Sequence, residues 1–459
     1  MVFPDPCTPT TSHTPPFIKT YASRHDFTVK VRVPGESANE NTASENGTNV
    51  TEKSFCPYRH ITCGSLGLRT VGASSNRRNV VNWKSRTGAR LTLSVVLAGA
   101  MGLTSLASGA SASTKTKAKA KAKSAVTLVV EKPAAANLSE TGSTLLYPLW
   151  NIWAPDYQAT YHNVTISTAG TGSGTGIADA ASGTVNIGSS DAYLSPTTLA
   201  ANPTLLNIPL AISYQAIVYD IAGLTAHLKL SGTLITQIYL GKITNWNDSA
   251  IAALNPGVKL PSLPIVALHR SDGSGDTFIF SQYVARQDGA QWGAGNFGTT
   301  VTWPAIKNQL AEAGNGGMVS GCAATPGCIA YVGISYLTQA LGDGLGYAQI
   351  KNGIGQYVLP TPSSASREAQ GYTKITPANG TISMVNGRVK GGYPIVNYEY
   401  AIVNKHQSSA SDAQAVRSVL EWAINPKFGN SSKYLSQVRF VALPMKVVLQ
   451  SFKQIKTIK

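Results

Sequence analysis

From Val126 onward the chain alternates short β-branched runs with helix-like segments, and that rhythm admits few architectures. VTLVV (126–130) reads as a strand and NVTISTAG (163–170) as a strand running into a Gly-rich loop. IADAASG (177–183) then reads as a short helix, and VNIGSSD (185–191) as the next strand. NIPLAISYQAIVYDI (207–221) is long, apolar and β-branched, as suits strands covered on both faces. GTLITQIYLGKITNW (232–246) begins as an amphipathic helix, and PIVALHRSDGSGDTFIFSQYV (264–284) reads as strand, loop and helix. VNYEYAIVN (396–404) is a further strand and DAQAVRSVLEWAIN (412–425) a further helix. Such alternation predicts an α/β fold with largely parallel sheets. No internal repeat of fixed period interrupts it.

A chain of 459 residues has room for two or three domains. Only 13% of it is charged and 43 residues are glycine, which excludes a coiled coil and a charge-rich disordered chain. The net charge of +16 raises nucleic-acid binding, but the charge is badly placed for it. Residues 113–459 carry 26 Lys and Arg against 16 Asp and Glu, and five of those lysines fall in the run TKTKAKAKAK. The remainder is thinly spread, with no basic patch interleaved with aromatics. Nucleic acid is therefore not an expected partner.

Leu91 to Ala107 is an apolar run without charge, preceded by Lys84, Arg86 and Arg90 and followed by the small residues SGASAS (108–113). That order reads as a secretory signal spanning 81–112, cleaved after Ala110 or Ala112. The competing reading is a membrane anchor, although about 17 residues diluted by Gly and Ser lie at the lower limit for spanning. Residues 1–80 are rich in Pro, Ser, Thr and Asn and show no sustained apolar period, so they read as a disordered or mis-annotated extension. Translation starting near Val80 or Val81 is the corresponding hypothesis. Arg77-Arg78 lies too far from the apolar run for a good twin-arginine signal.

Three of the five cysteines, Cys7, Cys56 and Cys63, lie in that extension. The other two, Cys322 and Cys328, flank a Thr-Pro-Gly turn in GCAATPGC, which in an oxidising compartment reads as a small disulfide loop. A two-cysteine metal site is the alternative, but no His or further Cys lies nearby in sequence. No cysteine follows the apolar run, so lipid anchoring is not expected. The Lys/Ala segment 113–125 reads as a solvated linker.

Three loops share one composition: SETGSTLLYP (139–148), AGTGSGTGIA (169–178) and RSDGSGDTF (270–278). Each joins a strand to an expected helix. Glycines let successive backbone N–H groups converge, helix N-termini add partial positive charge, and hydroxyls supply donors that rotate to fit. Together they predict an anion site. None matches G-x-G-x-x-G, a P-loop or G-x-S-x-G, and the seven histidines show no metal-ligand spacing. Neither a cofactor nor a metal is expected. Asp191 in GSSD and Asp276 in GSGD are out of place beside an anion unless the anion brings a proton, as a P–OH group does. Arg270 would supply compensating charge, with Asp272 positioned to hold it. The alternative is that both aspartates merely cap helices.

ETGSTLLYPLW, GTGSGTGI, NIGSSDAYLS, HRSDGSGDTF and GYPIVNYEYAIV, in that order, resemble the PstS family, the phosphate-binding proteins of the phosphate-specific ABC transporter. The resemblance runs from about Leu138 to about Pro444, and the GDTF and GCAATPGC variants are similar to actinobacterial, including mycobacterial, members. It implies a two-lobed periplasmic-binding-protein (Venus-flytrap) α/β fold with two mostly parallel sheets and a double crossover. Lobe one would comprise 126–219 and 393–459, lobe two 222–388, with crossings near Tyr214–Gly223 and Arg388–Pro394. Inorganic phosphate would lie in the cleft. Ser143, Thr144 and Leu145 would donate through backbone N–H groups and the Thr hydroxyl, joined by Ser173, Arg270, Ser274 and Gly275. Asp191 would accept the phosphate proton, and Asp276, where many members have Thr, would be a second acceptor. The implied partners are the permease subunits and ATPase of a phosphate importer, and the implied place is the cell envelope or extracellular space. No catalytic residue is expected. The competing functions are a secreted phosphatase using Ser274 or Ser173, for which only His269 stands near as a base, and a surface or adhesion protein on the same fold.

Overall fold

The protein is described here by a computed structural model that covers residues 128–459. The extension 1–80, the signal segment 81–112 and the linker 113–125 lie outside the described residues, as do the first two residues of VTLVV. Among the described residues the strands are β1 (Ala136–Gly142), β2 (Val164–Gly170), β3 (Ile187–Ser190), β4 (Leu205–Tyr219), β5 (Lys229–Leu230), β6 (Val266–Arg270), β7 (Gln309–Glu312), β8 (Cys328–Gly333), β9 (Gly346–Tyr347), β10 (Gln349–Lys351), β11 (Tyr357–Val358) and β12 (Val396–Asn404).

Nine strands form one sheet in the order β2-β1-β3-β12-β4-β8-β6-β7, with β9 also paired to β4; β11, β10 and β5 form a small second sheet. The strand that organises the large sheet is β4. Its fifteen residues are buried at all but one position, as the apolar run predicts. Tyr214 and the residues before it pair with β12, whereas Gln215 onward pairs with β8. One strand thus serves both halves of the sheet, and its change of partner falls between Tyr214 and Gln215.

The sheet is mixed rather than largely parallel. β1 runs parallel to β2 and β3, and β6 parallel to β7 and β8. The connecting strands break the pattern, because β12 is antiparallel to β3 and β4, and β4 is antiparallel to β8 and β9. Burial on both faces gives a continuous apolar run whichever way a strand points, so strand direction was not legible in the run itself. Pairing of β12 with β4 slips by one residue between Glu399 and Tyr400: Glu399 faces Ala211 and Tyr400 faces Pro209. Pro209 has no N–H to give to the ladder, and a bulge is where a strand accommodates that loss.

VTLVV is not a strand in its described part. Leu128–Val130 is irregular, and this segment lies along the helix Ala410–Ile424. Asn425 Nδ2 donates to Leu128 O at 3.3 Å, and Glu131 N–H donates to Glu421 Oε2 at 2.7 Å. Side chains at a helix surface take the backbone groups that a sheet would otherwise satisfy. The helix expected at 177–183 begins earlier, at Ser173, inside the Gly-rich loop. Gly176 and Gly188 make this possible, since a Cβ on Gly188 would lie 2.1 Å from Gly176 O. Cys322, in the helix Gly314–Ala323, and Cys328, at the start of β8, are joined by a disulfide with Cα atoms 5.3 Å apart.

Candidate functional site

Three strand ends converge at the centre of the large sheet, and each carries one of the Gly-Ser-Thr loops. β1 delivers Ser143, Thr144 and Leu145; β2 and the helix Ser173–Ser182 deliver Ser173; β6 and the helix Gly275–Gln287 deliver Arg270, Ser274, Gly275 and Asp276. β3 ends immediately before Asp191. All nine residues are buried, at 8% relative exposure or less where polar.

The second and third loops touch directly. Gly174 N–H donates to Gly273 O at 2.8 Å, and a Cβ on Gly275 would lie 2.5 Å from both Asp191 Oδ2 and Ser173 Oγ. Gly172, at φ +97°, is the N-cap of its helix and brings the chain against the Asp272 carboxylate. The first loop meets the other half of the sheet through Asn315, whose N–H and Nδ2 donate to Thr144 Oγ1 at 3.2 and 3.0 Å. Accepting twice leaves the Thr144 hydroxyl proton directed outward as a donor. Ser143 differs from the expectation, because its N–H is committed to Ser189 O at 2.9 Å. Backbone donation from this loop narrows to Thr144 and Leu145. Leu145 also anchors the loop, its side chain lying against Gly333 and its carbonyl accepting from Ser335 Oγ at 2.8 Å.

Asp191 caps no helix. The helix that follows starts at Pro196 and is capped by Ser195. The Asp191 carboxylate instead accepts from the Ser143 hydroxyl at Oδ1 and from Ser173 Oγ at Oδ2, the latter at 3.4 Å. Burial, reinforced by the neighbouring Asp276 charge, pushes the Asp191 carboxyl up from the ordinary range. Asp276 is not a cap either, since Ser274 Oγ takes the Thr277 N–H at 3.1 Å. Asp276 Oδ1 accepts from Gln215 Nε2 at 2.7 Å, and Oδ2 accepts from Asn315 Nδ2 at 2.6 Å and Arg270 Nη1 at 3.3 Å. Burial raises its pKa while the Arg270 charge opposes the rise.

Arg270 is itself 3% exposed and is held by two carboxylates. Its Nε donates to Asp272 Oδ1 at 2.6 Å and its Nη2 to Asp272 Oδ2, a fork-to-fork pair. Burial disfavours the ionised form of Asp272, but the Arg270 hydrogen bonds outweigh it and keep the carboxyl low. The site therefore presents one guanidinium, the hydroxyls of Thr144 and Ser173, and a helix N-terminus at Gly275, beside carboxylates able to accept a proton. That set suits an anion carrying O–H groups.

Gln215, Asn315, Asn397 and Glu399 were not anticipated. Asn315 joins Thr144, Asp276 and the Gly333 N–H, the last at 2.7 Å. Gln215 and Glu399 each interrupt a run of buried apolar residues in β4 and β12, and such an interruption was the available signal. Glu140, in β1 at the start of the first loop segment, is also buried, and burial pushes its carboxyl up to about 8. His269 stacks on Trp303 with ring centroids 4.6 Å apart, and its Nδ1 lies 3.2 Å from Arg270 O. Among the described residues no three His, Cys, Asp or Glu side chains gather as a metal site, and no helix is long and apolar enough to cross a membrane.

Residues 129–427 match the model of a PBP superfamily domain. A phosphate-binding protein PstS of Xylella fastidiosa is 32% identical over 322 residues, covering 70% of this chain and 85% of that one. A PstS2 of Mycobacterium bovis is 31% identical over 306 residues, covering 63% of this chain and 79% of that one. The crystal structure of a phosphate-binding protein from Stenotrophomonas maltophilia superposes with a TM-score of 0.54 at 20% identity, covering 70% of this chain and 94% of that one. A domain model spanning most of the described residues and a relative of this identity have one consequence: the chain belongs to the PBP superfamily and, within it, to the PstS family.

Proposed function

We propose that the protein binds inorganic phosphate outside the cytoplasm and delivers it to the permease subunits and ATPase of an ABC importer. The observation that carries this reading is the Asp191 carboxylate, buried among the hydroxyls of Ser143 and Ser173. A buried acceptor beside hydrogen-bond donors favours an anion that is itself partly protonated. Thr144, Leu145, Ser173, Ser274 and Gly275 would ring the ligand, Arg270 would neutralise it, and Asp191, held by the Ser143 hydroxyl, would take its P–OH. Asp276, which already has three protein donors, serves first to fix Arg270 and Asn315.

The PstS family is one of binding proteins, and this chain acts as one rather than as an enzyme. Ser274 Oγ is engaged as a helix cap and His269 is packed against Trp303, so neither suits a nucleophile–base pair. The lobes proposed are 126–219 with 393–459, and 222–388; the partner change inside β4 at Tyr214/Gln215 supports a hinge in that strand. Export through the signal at 81–112, without a lipid-anchored cysteine, is read from the sequence. Actinobacterial kinship is likewise read from GDTF and GCAATPGC alone. Calorimetric titration of the purified protein with phosphate and with a phosphate ester tests the reading. Saturable phosphate binding without ester turnover is expected, and ester hydrolysis would overturn it.

A further inference from the structure

Asn315 is the second residue of the helix Gly314–Ala323 and is 0% exposed. Its side chain spends every hydrogen-bonding group it has. Oδ1 accepts from Gly333 N–H at 2.7 Å, and Nδ2 donates to Thr144 Oγ1 at 3.0 Å and to Asp276 Oδ2 at 2.6 Å. A backbone N–H can only donate, so Gly333 fixes which end of the carboxamide is the oxygen. The same helix end supplies two backbone donors that have no partner within their own helix. Gly314 N–H goes to Asp272 Oδ1 at 3.1 Å, and Asn315 N–H to Thr144 Oγ1 at 3.2 Å.

A threonine hydroxyl has one proton and two lone pairs. On Thr144 both lone pairs are filled from Asn315, and the proton is what remains. The competitor for that proton is Asp276 Oδ2, a buried carboxylate oxygen bonded to the same Nδ2. The carboxamide nitrogen stands between the two, so the hydroxyl faces a donor there and cannot spend its proton on Asp276. Asp276 is meanwhile supplied with donors by Gln215, Asn315 and Arg270. At Asp191 the polarity is the opposite, because Ser143 and Ser173 donate to the carboxylate and leave it an acceptor.

We propose that Asn315 is a positioning residue that sets the selectivity of the site by reserving the Thr144 hydroxyl proton for a bare ligand oxygen. The proposal rests on the phosphate reading and deepens it. Thr144 takes an oxygen without a proton and Asp191 takes one with a proton, so the ligand class is a tetrahedral oxyanion that carries both. Replacing the carboxamide by a carboxyl group keeps the acceptor for Gly333 N–H and reverses the other end. Ionised, or protonated toward Asp276, the introduced group offers Thr144 an acceptor. The hydroxyl then turns to it, and the ligand loses a donor.

Proton–nitrogen correlation spectra and calorimetry on the full chain test the assignment. In the free protein, the carboxamide proton pair that is lost in Asn315→Asp or Asn315→Ser belongs to Asn315. Both protons should exchange with deuterated solvent at least about tenfold more slowly than those of exposed carboxamides. Thr144→Val, which removes the acceptor and keeps the shape, should shift one resonance of the pair and speed its exchange. A rapidly exchanging pair, or one indifferent to Thr144→Val, would overturn the proposal. In calorimetry, Thr144→Val should weaken phosphate binding at least about tenfold. Asn315→Asp should cost at least about tenfold more affinity in the wild-type background than in Thr144→Val, where only the added charge still acts. Equal losses in the two backgrounds would mean that Asn315 does not act through Thr144, and would overturn the proposal as well. If wild type binds no phosphate, the functional reading fails on its own, and the resonances of the free protein still decide whether Asn315 holds Thr144.

Discussion

Gly174 N–H and Gly273 O meet at 2.8 Å, joining backbone to backbone two loops that come from opposite halves of the large sheet. Neither residue has a side chain, and the approach depends on that. A Cβ on Gly174 would lie 3.1 Å from Gly273 Cα and 3.3 Å from its carbonyl oxygen.

Gly174→Val should accordingly hold the two loops apart. Phosphate affinity should fall at least about tenfold, since closure over a ligand is lost while the fold itself is not. Thermal unfolding should move little, because Gly174 lies in the first turn of its helix and is only partly buried. Calorimetry paired with a melting curve checks both halves of the expectation.

Arg270→Ala removes a guanidinium that holds Asp272 and Asp276 together. Loss of a charge-assisted hydrogen bond costs about 1.5–3 kcal/mol, so phosphate should bind at least tenfold more weakly. The variant should also melt lower, because Asp276 stays buried without its cation. Unchanged affinity in a folded variant would remove Arg270 from the site.

Glu140 supplies a pH dependence of stability. Its carboxyl is raised from 4.5 to about 8 by burial, so the folded state keeps a proton that the unfolded state releases above pH 4.5. The resulting stability is complete below the unfolded pKa and is lost as pH rises toward 8. At about 1.4 kcal/mol per pH unit, the wild type at pH 7 forgoes about 3 kcal/mol that Glu140→Gln should largely regain. Melting temperatures of both proteins from pH 5 to 8 should diverge with rising pH, Glu140→Gln being the flatter.

How much of this was legible in the sequence depends on how far apart the interacting residues lie. VNYEYAIVN gave β12 to the residue, because its pattern is local. The described part of VTLVV misled, because Leu128 O is taken by the Asn425 side chain at the end of a helix nearly 300 residues later rather than by a neighbouring strand. The three loops announced themselves by composition, but nothing local says that Gly174 meets Gly273, or that Asn315 in a glycine-rich GNGG segment bridges Thr144 and Asp276. Glu399 lies in GYPIVNYEYAIV, where the surrounding strand pattern is so strongly apolar that nothing local marks its carboxyl as part of a polar cluster.

The Cys322–Cys328 disulfide closes a small loop between the C-terminal end of the helix Gly314–Ala323 and the start of β8. Replacing both cysteines by serine should cost at most about 2–3 kcal/mol, as expected for so short a loop. Phosphate affinity should stay unchanged. In the native protein neither sulfur should react with an alkylating reagent before reduction.

The most direct test of the account is a pair of titrations, phosphate and sulfate, on the same purified protein at neutral pH. Asp191 as a buried acceptor of the ligand's proton predicts tight saturable phosphate binding and sulfate weaker by about 10⁴ or more, because sulfate has no proton to give. Sulfate binding as tight as phosphate would contradict it.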